Sequence, residues 1–272
     1  MAAVFTLALG RRYVVRGRVN PALLHWTVAL ALFTVGAAAL AWGEAAGWSS
    51  ASFRVFYLAG AVLTVPWLAL GTVESVRRDR VTARTLGVTS LVVAALAGTL
   101  AAAVDQPVRF LVAVGLAGLW GLLLLTADGP AMRAGSAVLV GTFTAMAIAL
   151  VTVATLRGEV PADRLPEGSE LFPPVVRGFS FAGNAYGSVL VIVGAVTSAI
   201  RLRGRGTPHL LAGNLLIAAG VTTAALGGLF AFAGDTGGHA IAFAVGVTLM
   251  YAGFVRTTRS PRVASGPIER PR

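Results

Sequence analysis

Apolar residues in this chain gather into runs of about 20, separated by short polar breaks, with no alternation inside the runs. Pro21 to Thr72 sets the plan. It reads PALLHWTVALALFTVGAAALAW, then GEAAGWSSASF, then RVFYLAGAVLTVPWLALGT. Each long run can cross the roughly 30 Å hydrocarbon layer as a helix. The pair therefore predicts a transmembrane hairpin, and the rest of the chain repeats it. After the turn Glu74–Arg80, further spans are predicted over Leu86–Val104, Arg109–Thr126, Ala134–Thr155, Phe179–Ile200, Leu210–Phe232 and Gly238–Val255. Barrel strands would be about 10 residues long with alternating polarity. These runs are longer and apolar on every side, so the expected fold is an all-α bundle of about eight transmembrane helices.

Pro21 to Val255 forms the membrane domain in this reading, between basic tails at 1–20 and 256–272. Met1 to Gly10 is apolar but too short to span, and no positive residue precedes it. It reads as a tail or an interfacial helix, not a cleavable signal. The one long connection, 156–178, carries Pro161, Pro166, Pro173 and Pro174, which favour a turn-rich loop.

Composition agrees. The chain is 56% hydrophobic and 12% charged, whereas soluble domains carry about 25% charged residues. All 22 basic residues are Arg, which suggests a GC-rich bacterial genome and rules out a lysine Schiff base. Without Cys there are no disulfides, thiolate metal sites or thiol catalysis. The net charge of +11 raises nucleic acid as a partner, but the Arg positions follow topology instead. With eight spans and both termini cytoplasmic, 17 Arg fall inside and 5 outside. That is the positive-inside pattern of a bacterial inner-membrane protein, with the bilayer and anionic headgroups at its basic face as partners.

Candidate chemistry is sparse. Mid-span polarity is mostly Thr: Thr34, Thr64, Thr142, Thr144, Thr222 and Thr223. No Asp, Glu, Lys, Arg or His occupies the middle of a predicted span, which argues against proton-coupled pumping. His25 and His209 stand at matched depth near the cytoplasmic ends of spans one and seven, where a haem could be held, while His239 is on the other side. An interfacial His without a cofactor is the commoner case, and no cofactor or metal is expected. On the outer side Glu44, Trp48, Arg54 and Tyr57 crowd the first hairpin, with Asp105, Asn184 and Tyr186 at similar predicted depth. These seven form the candidate ligand site. An aromatic belt and an ion pair of Arg54 with Glu44 or Asp105 would explain several of them without a ligand. Ladders such as Gly183, Gly187, Gly194, Ser198 and Gly220, Ala224, Gly228 predict close helix packing. Pro66 should bend span two near Thr64.

Three stretches carry a family likeness. They are His25-Trp26-Thr27, Phe53 to Ala61 running on to Gly71-Thr72, and Gly183-Asn184 with Gly187 and Gly194-Ala195. Here the chain resembles uncharacterised multi-pass membrane proteins of actinobacteria and related bacteria. Where such proteins keep an aromatic after the Gly-Thr pair, Val73 and Glu74 follow here. The resemblance implies architecture and no activity. Three classes of function stay open, in this order: an accessory, structural or sensory protein acting through partners, a carrier or channel for a small neutral or weakly polar solute, and a membrane enzyme or haem protein.

Overall fold

The structure, a computed structural model, describes Thr6, Leu7, Arg11 and residues 21–105, 107–203, 208–232 and 236–258. Most of both basic tails, Arg205 and the His239 side chain lie outside the described residues. Among the described residues there is no strand. Eight long helices follow one another: α1 Pro21–Ala46, α2 Ser50–Val76, α3 Arg80–Ala102, α4 Val108–Thr126, α5 Gly129–Val153, α6 Pro174–Leu202, α7 Pro208–Phe232 and α8 Thr236–Thr258. The first seven are long and apolar enough to cross a membrane, and α8 adds a shorter apolar stretch, Ile241–Thr257. The protein is an all-α polytopic helix bundle.

Several helices outrun the apolar runs that predict them. α3 begins at Arg80 because the Asp79 carboxylate caps it, accepting from the Val81 N–H at 3.2 Å. α6 begins at Pro174, whose fixed φ and missing N–H suit the first turn. Asn184 and Tyr186 therefore lie about three turns inside α6, not at its opening as the apolar run suggests. At the other end of α1, Gly47 takes φ +85°, turning the chain so that the Trp48 N–H reaches Ala162 O at 3.2 Å.

α6 is the axis of the bundle, packed against α2, α3, α4, α5 and α7. Its small residues explain why. A Cβ on Gly183 would stand 2.9 Å from the Pro66 ring, and one on Gly187 would stand 2.9 Å from Val65. The α7–α8 pair is closer still: a Cβ on Gly220 would meet Gly246 O at 2.5 Å. These are the helix contacts that the ladders predict. The bundle is apolar on its outside. Along α3, Leu86, Ser90, Ala94 and Ala97 are buried while Val88, Val92, Leu96 and Leu100 are exposed. The larger aliphatic side chains face outward, as lipid contact allows and water would not.

α2 holds one irregular stretch. Residues Tyr57–Leu63 wind as a π turn before Pro66. Proline has no N–H, so the Ala61 and Val62 carbonyls lose the donor that Pro66 would supply in a π or α ladder. α6 supplies the replacements. Ser180 Oγ donates to Ala61 O at 2.8 Å and Asn184 Nδ2 donates to it at 2.6 Å. The Val62 carbonyl faces Gly183.

Candidate functional site

The outer end is plugged. Phe172, fully buried, stacks on Phe53 at 5.2 Å and tilts against Tyr57 at 4.6 Å. Trp48 is buried against Phe56 and donates to Glu44 Oε1 at 3.2 Å. The long connection supplies the plug. A single helical turn, Gly168–Leu171, presses Gly168 onto the Tyr57 ring, and the Arg157 N–H closes on Leu171 O at 3.0 Å.

Within this plug the seven predicted residues divide. Tyr57 and Arg54 lie on Phe172, while Glu44 and Trp48 pair beside Phe56. Asp105 is exposed at the end of α3. Asn184 serves the Ala61 carbonyl, and Tyr186, on another face of α6, shares a buried hydrogen bond of 2.8 Å with Ser90 and packs on Trp120. Arg54 corrects the expected ion pair with Glu44 or Asp105. Its guanidinium donates to the carbonyls of Val151, Thr152 and Ala154, the last at 2.7 Å. These carbonyls end α5, and the last turn of a helix has no N–H for them. Arg54 caps a neighbouring helix.

Five of the six mid-span threonines turn their hydroxyls onto their own helices. Thr34, Thr64, Thr144, Thr222 and Thr223 each donate to a carbonyl of their own helix. Thr144 also accepts from Trp67 Nε1 at 3.1 Å, and Ser136 accepts from the buried Trp120 at 3.0 Å.

The arginine-rich end differs. Glu74, 7% exposed, lies between Arg77 at 2.5 Å and Arg133 at 3.2 Å, joining α2 to α5. His25 stands nearby, its ring 5.8 Å from Trp67. Beside this cluster a cavity of about 290 Å³ opens between α1, α2, α6, α7 and α8. Its polar groups include Trp26 of α1, Thr72 of α2, Asp79 of the α2–α3 turn, Ser198 and Arg201 of α6, Asn214 of α7 and Thr257 of α8. Apolar walls come from Val191, Ala195, Leu210 and Ile217. Gly71 and Gly194 let its walls close up, because a Cβ on Gly71 would strike the Trp26 ring and one on Gly194 would stand 2.7 Å from Thr72.

Asp79 and Arg201 form a 2.9 Å ion pair at this cavity. Partial burial raises the Asp79 pKa, but the Thr82 hydroxyl at 2.7 Å, the backbone N–H groups of Thr82 and Val81, and the Arg201 charge outweigh it and hold the carboxyl below its ordinary value. Sequence reading passes over this site. Asp79, the Ser198–Arg201 pair and Asn214 reach it from three separate segments, and Ser198 reads there as a packing residue. Among the described residues no three His, Asp or Glu side chains gather as a metal site. Comparison with family models, curated proteins and solved structures finds no match to the chain.

Proposed function

We propose that this integral membrane protein is an accessory or sensory component of the bacterial inner membrane that acts through partners, with its arginine-rich end in the cytoplasm. The observation that carries this reading is an aromatic stopper at one end and a cavity at the other. Five of the six mid-span threonines bond to their own helices, the end away from the arginine cluster is stoppered by Phe53, Tyr57 and Phe172, and the cavity lies at the basic end. Such a protein receives a ligand from one side and answers by a change in helix packing. A carrier for a small neutral solute needs the same cavity to open at both ends in turn. Flux into proteoliposomes tests the choice. For glycerol, urea and small neutral amino acids, entry should equal that into protein-free vesicles. Saturable entry of any of them would establish a carrier.

A further inference from the structure

We propose that the cavity at the arginine-rich end is a binding site for a small anionic amphiphile: a phosphate ester with a short apolar chain. The argument rests on which polar groups there already have partners. Asp79 is fully engaged. Its Oδ1 accepts from the Val81 N–H, and its Oδ2 accepts from Thr82 and from Arg201. It has little left to offer a cation.

Arg201 is engaged only through Nε. Its two amino groups have no partner among the described residues, and a guanidinium with free N–H groups is suited to phosphate. The Ser198 hydroxyl and the Asn214 carboxamide also line the cavity, with no partner among the described residues. The free groups are therefore mostly donors, and they come from α6 and α7. Donors in excess select an acceptor-rich head.

The remaining walls select the rest of the ligand. Val191, Ala195, Leu210 and Ile217 give an apolar flank, and the edge of Trp26 closes it against Phe254. A volume of about 290 Å³ suits a head with a short chain. This deepens the sensory reading above and rests on it. A soluble phosphate monoester and the phosphodiester head of an anionic lipid share this chemistry.

Calorimetric titration of the full chain in non-ionic detergent tests the proposal, with hexyl phosphate, dihexanoyl phosphatidylglycerol and hexyltrimethylammonium as probes. At least one phosphate probe should bind saturably, and the ammonium should not. Tighter hexyl phosphate identifies a soluble ester, and tighter phosphatidylglycerol identifies a lipid headgroup. Arg201→Gln should weaken binding about tenfold or more. That change also frees Asp79, so Asn214→Leu and Ser198→Leu serve as second variants. They fill the cavity without touching the ion pair and should also abolish binding.

The proposal is overturned if neither phosphate probe binds or if the ammonium binds as tightly. It is equally overturned if a folded Asn214→Leu variant keeps the wild-type affinity. The comparison of probes on the wild-type protein needs no variant. Flux separates this from the broader reading. Binding with saturable transport would remove the sensory role and keep the ligand class. No binding and no transport would remove the ligand class alone.

Discussion

Arg54 shows what a single charge does at a membrane boundary. It stands at the first turn of α2, and the sequence offers it two acids, Glu44 and Asp105. The structure gives it three carbonyls at the end of α5 instead. Orphan carbonyls at a helix end recover more from a fixed guanidinium than an exposed ion pair would gain. Arg54→Gln should therefore lower stability by about 1–3 kcal/mol, read by thermal unfolding in detergent. Combining it with Glu44→Gln or Asp105→Asn should give additive losses, since no ion pair couples them. Recovery in either double variant would restore the ion pair.

Asp79 is the residue through which pH should act. Its folded pKa is depressed, so it favours the folded state above the unfolded value of about 3.9 and that support is lost as pH falls through the folded value. Because its side chain is 32% exposed, the effect is screened and small. Acidification from about pH 6 to about pH 3 should lower the wild-type melting temperature more than that of Asp79→Asn. Equal slopes would remove Asp79 from the account.

At the scale of elements, α2 and α6 depend on each other. Pro66 costs α2 a backbone donor, the helix widens into the π turn at Tyr57–Leu63, and α6 repays Ala61 through Ser180 and Asn184. The same two helices touch through Gly183 and Gly187, where any side chain would meet Pro66 or Val65. α7 and α8 repeat the arrangement without a proline. A Cβ on Gly220 would meet the Gly246 carbonyl, and one on Gly253 would meet Gly213 O at 2.6 Å. Gly187→Leu and Gly220→Leu should each cost about 1–3 kcal/mol or more by overpacking a backbone contact. Thermal unfolding at wild-type temperature in both would mean that the helices part without penalty.

The whole molecule is asymmetric along its long direction. One end is sealed by the 156–178 connection, through Leu171 and Phe172. The other carries the Glu74–Arg77–Arg133 cluster and the cavity. The Arg asymmetry of 17 to 5 predicts which end faces the cytoplasm. A reporter fused after Arg272 should be cytoplasmic, and one inserted between Gly158 and Pro173 should lie on the opposite side. Both reporters on one side would break the eight-span topology.

Uninterrupted apolar runs, two to a hairpin, determine an all-α membrane bundle by themselves, because length against the hydrocarbon layer is a property of the chain alone. Small residues four apart likewise mark the packed faces, since helical periodicity is local. Partners across helices are not local. Arg54 finds α5 nearly a hundred residues away in sequence (|i−j| is 97 to Val151), and Tyr186 finds Ser90 at 96. No spacing rule connects such pairs. The candidate outer site was legible only as a cluster of residue types. Tertiary packing turned Glu44, Trp48, Arg54 and Tyr57 into a stopper and sent Asn184 and Tyr186 to different neighbours. The cavity at the arginine-rich end was not legible at all. Trp26, Arg201 and Asn214 line it from three helices, and only the folded chain brings those three together.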